Sequence, residues 1–152
     1  MGIIEVNSHY NLDCPICFAN AGPEFSLSMQ QVERMLDRFV ELEGDPEVVQ
    51  FSVGEPTIHP EILPMLSMAF DKGIKVVMLN TNGIRIVRDD RFLAGLADIK
   101  PIIHLQFDGF STQTRQALRG KDLLRDKLKA LDRLAQAKLD VVLVPAIEKG
   151  VN

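Results

Sequence analysis

The sequence predicts an α/β fold in which about five parallel strands carry helices on their outside. Short apolar runs recur along the chain, a helical pattern follows each of the first four, and polar residues stand directly after each run. Continuous apolar runs are typical of strands buried on both faces, and strands that alternate with helices are typical of a parallel sheet. Because such folds place their sites at the carboxyl ends of the strands, the polar clusters predict one shared functional rim.

Length and composition indicate a single domain over residues 1–152. The chain is 46% hydrophobic and 25% charged, with a formal net charge of −4, and this length can bury a core without disulfides. The acidic balance argues against a nucleic-acid partner. No apolar run approaches the roughly 20 residues of a membrane span, and the N-terminus lacks the pattern of a secretory signal. Two cysteines do not make a disulfide framework, so we expect a reducing, cytoplasmic location.

The first half of the chain predicts three strands and two helices. The first helix begins after Ser28, which forms a capping box with Gln31, and it ends near Gly44. The second helix is expected over residues 60–72, where Pro64 implies a kink or a later start. The strands are expected over residues 3–6, 48–52 and 74–79.

The second half predicts two more strands and further helical segments. A short helix is expected over residues 88–97, and only a brief helical turn after Ser111. In the longer helix that follows, the charged residues from Arg115 to Lys138 indicate a solvated face. Four residues mark the apolar face of that helix: Leu124, Leu128, Leu131 and Ala135. The strands are expected over residues 102–107 and 141–144.

Both cysteines of the chain lie on the loop after the first strand. Cys14 and Cys17 stand three positions apart, a spacing that suits one soft metal centre or one reversible disulfide. Residues 20–23, Asn-Ala-Gly-Pro, are typical of a turn and oppose a helix that begins at Cys17, which a redox pair usually opens. A zinc site would need two more ligands. The residues alone leave a metal centre, a redox pair and simple burial of two small side chains open.

Residues 12–19, Leu-Asp-Cys-Pro-Ile-Cys-Phe-Ala, resemble the cluster loop of the radical S-adenosylmethionine (SAM) superfamily, which reads CxxxCxxC. Residues 50–60 are similar to the family's GGEP segment. Residues 79–83, 105–109 and 142–145 are similar to the ends of its third, fourth and fifth strands. The sequences of these motifs are most similar to those of the branch that contains tetraether-lipid synthases and pterin-methylating enzymes. The resemblance implies an incomplete (β/α) barrel of radical SAM type.

The resemblance also implies two cofactors, a [4Fe–4S] cluster and SAM. In this family SAM is cleaved to a 5′-deoxyadenosyl radical, which removes hydrogen from a substrate. Cys14 and Cys17 would hold iron, the Glu55 carboxylate would bind the SAM ammonium group, and Gly54 would permit close approach of the backbone. The substrate implied is a small-molecule or lipid-type compound. The other cofactor-binding residues that the resemblance implies are Pro56, Asn80, Asn82, Gln106, Asp108 and Pro145.

Three features depart from the family pattern. Tyr10 stands at the position of the first cysteine, and a phenol with an ordinary pKa of about 10 is a hard ligand for this cluster. Val53 stands at the first glycine of GGEP and adds a β-branched side chain. The sequence ends after the fifth strand, so we expect an open strand edge and self-association through it. The alternative hypotheses are a non-catalytic, cluster-deficient barrel that needs a partner or a missing segment, and, more weakly, a CxxC thiol–disulfide protein.

The strand assignments predict that polar residues from all five exits meet at one end of the sheet. Asn82 and Asp108 have an equally good interpretation as turn formers before glycine. His59 is interpreted as a helix-entry residue, and His104 as a residue of the core or of the barrel interior. The residues expected to converge are Cys14, Glu55, Asn82, Gln106 and Pro145.

Overall fold

The computed structural model describes residues 1–17 and 24–152 and contains a five-stranded parallel sheet. The strands lie side by side in chain order, as in a barrel, whereas a doubly wound sheet reverses its order partway. Within the described residues β1 and β5 are the two edges, so the predicted incomplete barrel is confirmed. The strands are β1 (Gly2–Glu5), β2 (Val48–Ser52), β3 (Val76–Thr81), β4 (Ile102–Gln106) and β5 (Val141–Val144).

Helices connect the strands. The predicted capping box at Ser28 is present, and Gly44 ends the first helix with a φ of 69°. The helices are α1 (Met29–Glu43), α2 (Ile62–Asp71), α3 (Ile84–Arg88), α4 (Asp90–Ile99), α5 (Thr112–Arg119) and α6 (Leu124–Gln136).

The helix boundaries differ from the prediction in three places. A 3₁₀ turn over Pro56–Ile58 precedes α2, so Pro64 falls in the first turn of that helix, where no intrahelical N–H bond is lost. The helix that was predicted over residues 88–97 is α4, and the short helix α3 precedes it where no helix was predicted. Asp89 caps α4 by accepting the Phe92 N–H. The predicted brief turn after Ser111 is the eight-residue helix α5.

The core lies between the helices and one face of the sheet. The predicted burial of both strand faces is only half correct, because fully buried and half-buried residues alternate along β2, β3 and β4. The other face, which carries Asn80 and His104, is partly accessible. The fully buried strand residues are Val49, Phe51, Val77, Leu79, Ile103 and Leu105.

The buried face of α6 is not the one that the sequence predicted. Lys127, Ala130 and Leu134 are buried, whereas Leu128 is 41% exposed. The buried stripe runs through positions i, i+3 and i+7 from Lys127. Arg115 is also buried, so the prediction of a solvated charged face was wrong for this arginine and for Lys127.

Candidate active site at the strand ends

A cavity of about 620 Å³ lies at the carboxyl ends of the strands. Cys14, Glu55 and Asn82 reach its wall from the loops after β1, β2 and β3. Gln106 reaches it from the end of β4, and Pro145 from the loop after β5. The five exits that the sequence predicted to converge therefore meet in one cavity, and its volume is in the usual range for a small-molecule site.

Two of the predicted binding residues lie behind this wall. Pro56 is buried at the start of the 3₁₀ turn, and Asp108 is buried beside Gln106, whose side-chain amide donates to it at 3.2 Å. Asn80 does line the cavity, and its amide donates to the Ser52 hydroxyl at 3.1 Å.

Glu55 is the centre of a hydrogen-bond network between the exits of β2 and β3. Its Oε1 accepts from the Thr57 N–H at 3.2 Å, the Thr57 hydroxyl at 2.6 Å and the Thr81 hydroxyl at 2.7 Å. Its Oε2 accepts from the Asn82 N–H at 2.8 Å. The residue is 2% exposed, so these donors replace water around a buried charge. Oε2 holds a single hydrogen bond and has capacity for another.

Asn82 forms the turn that one of its two interpretations predicted, and it also joins two loops of the site. Its Oδ1 accepts the Ile84 N–H at 3.0 Å, as a turn former does. Its Nδ2 donates to Asn11 Oδ1 at 2.6 Å, which ties the loop after β3 to the cysteine loop after β1. Its carbonyl accepts from Lys127 Nζ at 2.5 Å.

Lys127 contacts the site through the Asn82 carbonyl, and it was not predicted from the sequence. It is buried, and burial lowers the pKa of its ammonium group to about 8, although the negative charges of Glu55 and Asp108 oppose the shift. Its only sequence signal is a lysine inside the buried stripe of α6, and that stripe could not be placed without the fold.

Asp108 is buried and forms an ion pair with Arg119, which is half-buried in the cavity wall. Arg119 Nε and Nη2 donate to the two carboxylate oxygens, each at 2.8 Å. Burial acts to raise the pKa of Asp108, but the hydrogen bonds from Arg119 and from the Ala146 N–H lower it overall. Arg119 also reaches the cavity wall and lies beside the Cys14 thiol. Arg119 was not predicted as a site residue, because its segment was expected to form a solvated face.

The loop after β1 brings both thiols to the cavity. Cys14 and Cys17 are free and half-buried, and the Cys17 N–H donates to the Cys14 carbonyl at 3.0 Å. Residues 20–23, which were predicted to oppose a helix at Cys17, lie outside the described residues. Phe18 and Ala19, which are part of the family resemblance, lie outside them too. Up to position 17 the loop is a turn, not a helix.

Tyr10 lies in the same wall, at the position of the family's first cysteine. Its hydroxyl is buried and has no hydrogen-bond partner among residues 1–17 and 24–152. The Cys17 thiol and the Gly54 N–H lie beside the hydroxyl, but neither makes a bond of acceptable geometry. Burial, and then the neighbouring Cys17 thiol, raise the pKa of Tyr10 above 10.0.

Val53 and Gly54 both adopt left-handed backbone conformations, with φ values of 62° and 65°. A Cβ at Gly54 would lie 2.5 Å from the Asn7 carbonyl oxygen and 2.8 Å from that of His9. Gly54 therefore permits close approach of the loop after β1, in addition to any approach of a ligand. Val53 holds the same conformation with a β-branched side chain, which is a strained arrangement.

The donor set fits an iron centre better than a zinc site. The described residues contain no group of three or more His, Cys, Asp or Glu side chains that could hold a metal ion. His59 uses both ring nitrogens within the fold, toward the Leu27 carbonyl and the Glu61 N–H. Two thiols remain at the cavity, together with the buried, unpartnered Tyr10 hydroxyl. They correspond to the three ligand positions of the family's cluster.

No helix in the described part of the chain has the length and apolar character needed to cross a membrane.

A family model described as the radical SAM superfamily matches residues 11–152.

Two relatives match nearly the whole chain. The chain is 36% identical over 154 residues to the 7,8-dihydro-6-hydroxymethylpterin dimethyltransferase of Methanocaldococcus jannaschii, covering 98% of this chain and 30% of that protein. It is 30% identical over 155 residues to the GTP 3′,8-cyclase of Chlorobaculum tepidum, covering 98% of this chain and 45% of that protein. The chain therefore spans less than half the length of either relative. The first relative agrees with the pterin-methylating branch that the motifs indicated.

Solved structures confirm the fold. Streptococcus suis SuiB bound to its precursor peptide SuiA matches with a TM-score of 0.81 and 21% identity, over 97% of this chain and 33% of that one. The anSMEcpe protein with bound AdoMet and the Kp18Cys peptide matches with a TM-score of 0.78 and 20% identity, over 95% and 42%. The family model, which matches residues 11–152, shows that the chain belongs to the radical SAM superfamily, whose members use a [4Fe–4S] cluster and SAM.

Proposed function

We propose that this chain is the cofactor-binding core of a radical SAM enzyme. SAM occupies the cavity at the strand ends, and Cys14 and Cys17 hold the cluster at one side of it. One observation carries the proposal: all five strand exits converge on a single cavity whose wall contains both thiols. The chemistry that these cofactors supply when bound is reductive cleavage of SAM followed by hydrogen abstraction from a substrate.

The residues of the chain bind and orient SAM. Glu55 Oε2 has a free acceptor position for the SAM ammonium group, and the network around it fixes its direction. The amides of Asn80, Asn82 and Gln106 offer polar contacts along the wall. Pro56 and Asp108 contribute indirectly, because they shape the backbone and the hydrogen bonding next to Glu55 and Gln106.

Apolar residues in the same wall exclude water from the reacting groups. Leu12 and Ile16 from the cysteine loop, with Pro145 and Ile147 after β5, line the cavity. Exclusion of water protects a reactive radical from side reactions.

The substrate we propose is a small molecule rather than a lipid. The relatives that cover the chain are named for a hydroxymethylpterin and for GTP, and both compounds contain a fused nitrogen heterocycle. The thiols require a reducing environment to hold iron, which supports a cytoplasmic location.

We also propose self-association through β5. This strand pairs with β4 on one side, and Val142 and Leu143 are 44% and 47% exposed. An apolar strand edge of this kind pairs readily with another strand. Sedimentation velocity over a range of concentrations tests this, and a monomer at high concentration would contradict it.

Anaerobic reconstitution tests the main proposal. We expect iron and sulfide on the chain, SAM retained in equilibrium dialysis, and 5′-deoxyadenosine formed after dithionite reduction. The Cys14→Ser/Cys17→Ser double variant is the matched control and should lose iron. If the reconstituted chain carries iron but does not retain SAM, the assignment of the cavity is wrong.

A second candidate is a cluster-deficient barrel that works only with a partner or a further segment. Tyr10 at a ligand position and the strained Val53 favour it. Iron content separates the two functions, because the cluster-deficient barrel stays below stoichiometric iron under conditions that load the Tyr10→Cys variant.

A further inference from the structure

We infer that the Tyr10 hydroxyl is the third iron ligand of this chain, so that its iron centre is held by two sulfurs and one oxygen. The inference rests on the proposed function, since it assigns a ligand to the same cluster. It differs from the family pattern, in which all three protein ligands are thiolates.

The first observation is the environment of the hydroxyl. Buried hydroxyl groups in folded proteins nearly always have a hydrogen-bond partner. The Tyr10 oxygen has none among residues 1–17 and 24–152, although it lies beside the Cys17 thiol, and Tyr10 is one of the residues that line the cavity together with Cys14 and Cys17. A metal bound between these side chains would give the oxygen the partner that the fold does not supply.

The second observation is the way the backbone fixes Tyr10. The His9 carbonyl accepts the Glu55 N–H at 2.8 Å, and the His9 N–H donates to the Asn7 side chain at 2.9 Å. Gly54 packs against the same carbonyl. The residue before Tyr10 is therefore anchored to the loop after β2, and this anchor limits the positions that Tyr10 can take in the cavity wall.

Coordination is balanced by release of a proton. The phenol O–H bond breaks, the Oη–Fe bond forms, and the proton leaves to solvent, as it does when any protonated side chain becomes a metal ligand. Because oxygen is a harder donor than sulfur, we expect the iron to be held, but less firmly than by three thiolates.

Tyr10 is the only tyrosine of the chain, and this makes the inference testable by spectroscopy. Any iron–phenolate charge-transfer band or phenolate vibration in resonance Raman spectra must come from this residue. The experiment reconstitutes four proteins anaerobically with ferrous iron and sulfide: the parent, Tyr10→Phe, Tyr10→Cys, and the double variant Tyr10→Phe/Phe110→Tyr. The spectra are recorded anaerobically on the samples as reconstituted.

The double variant is the matched control. Phe110 is 71% exposed and does not line the cavity, so the variant keeps one tyrosine but removes it from the site. Tyr10→Phe retains the ring and its packing, and circular dichroism checks that every variant is folded.

We expect phenolate modes in the parent alone. Loss of a group that merely orients a metal ligand lowers metal affinity about 10- to 100-fold. Release of iron to a chelator should therefore be at least about tenfold faster from Tyr10→Phe and from the double variant than from the parent, and slowest from Tyr10→Cys.

Equal release from the parent and Tyr10→Phe, without phenolate modes, overturns the inference while leaving the proposed function intact if Tyr10→Cys binds iron. Absence of iron from all four proteins overturns both.

Discussion

The two sides of the cavity are built differently. On the side of β2 and β3, the buried Glu55 carboxylate accepts four hydrogen bonds and joins two loops. On the side of β1, the wall contains two free thiols and Tyr10, whose buried hydroxyl has no partner within the part of the chain that the structure describes. On the first side the carboxylate is hydrogen-bonded except for one free acceptor position on Oε2, whereas on the second side a buried hydroxyl has no partner among the described residues.

The difference indicates which kind of ligand each side of the cavity is suited to bind. Preorganised donors and acceptors suit an organic ligand, which must be held in one orientation. Two soft thiols and one buried hydroxyl without a partner among the described residues, all on one loop, suit a metal centre, because the metal itself supplies the missing bonds. Separate perturbation of the two sides should therefore have different effects, the largest of them at Glu55.

Replacing the Glu55 carboxylate should disrupt the hydrogen-bond network between the exits of β2 and β3. Glu55→Ala leaves several buried donors without an acceptor, and each costs about 1–3 kcal/mol, so we expect a loss of at least about 3 kcal/mol in the free energy of unfolding and no SAM binding. Urea denaturation and equilibrium dialysis measure the two effects. Glu61→Ala, at an exposed position, is the control and should change neither. A stable, SAM-binding Glu55→Ala protein would show that the network is not what holds this side together.

The contact between the two sides should depend on Gly54. Gly54→Ala places a Cβ 2.5 Å from a backbone oxygen in a left-handed conformation, and we expect a loss of about 2–4 kcal/mol from overlap and backbone strain together. Gly44→Ala is the matched control, since its φ is 69° but nothing lies within 4 Å of the added atom. Equal losses of stability in the two variants would mean that backbone conformation, not the close contact, limits the site.

Lys127 should make the free energy of unfolding depend on pH. Burial lowers the pKa of Lys127 to about 8 from an ordinary value of 10.5, so between these values the unfolded chain binds more protons than the folded one. The contribution of Lys127 to the free energy of unfolding therefore rises with pH from about 8 to about 10.5. We expect this rise to be missing in Lys127→Met and present in Lys129→Met, an exposed control on the same helix. Parallel pH profiles of urea midpoints in the two variants would contradict the assignment.

The smallest effect is expected at Val53. Val53→Gly removes a β-branched side chain from a left-handed conformation, and we expect a gain of about 1 kcal/mol in the free energy of unfolding, with tighter SAM binding beside Glu55. Val53→Ala, which keeps a Cβ, should gain less.

The double variant Tyr10→Cys/Val53→Gly sharpens the comparison, because it restores the family residue on each side. We expect it to form more 5′-deoxyadenosine under dithionite than either single variant. No gain over the parent would mean that neither substitution limits activity.

The strands and their exits were predictable because both depend on short stretches of sequence. Apolar runs bounded by glycine or polar residues identified all five strands, and a parallel sheet then required the exits to share one end. The two cysteines and Glu55 were found through family motifs that a few adjacent residues carry.

The partners of these residues were not predictable, since they come from distant parts of the chain. Thr81 and Asn82 meet Glu55 across 26 and 27 positions, and Lys127 meets Asn82 across 45. A lysine in an amphipathic helix ordinarily faces water, and only the packing of α6 under the loop after β3 overrides this preference. The close contact of Gly54 with the chain at Asn7 and His9 likewise requires knowledge of the strand order.

The chain order of the strands also sets the order in which the cavity is built during synthesis. Each new strand pairs with the strand made just before it, so the growing protein extends its sheet from one edge and does not insert strands between existing ones. The cysteine loop leaves the ribosome first, but Gly54 and Glu55, which anchor its base, follow some forty residues later. At ordinary elongation rates that interval lasts on the order of seconds. Throughout it the thiols are present without the wall that orients them, and iron delivery is expected to follow synthesis of β2.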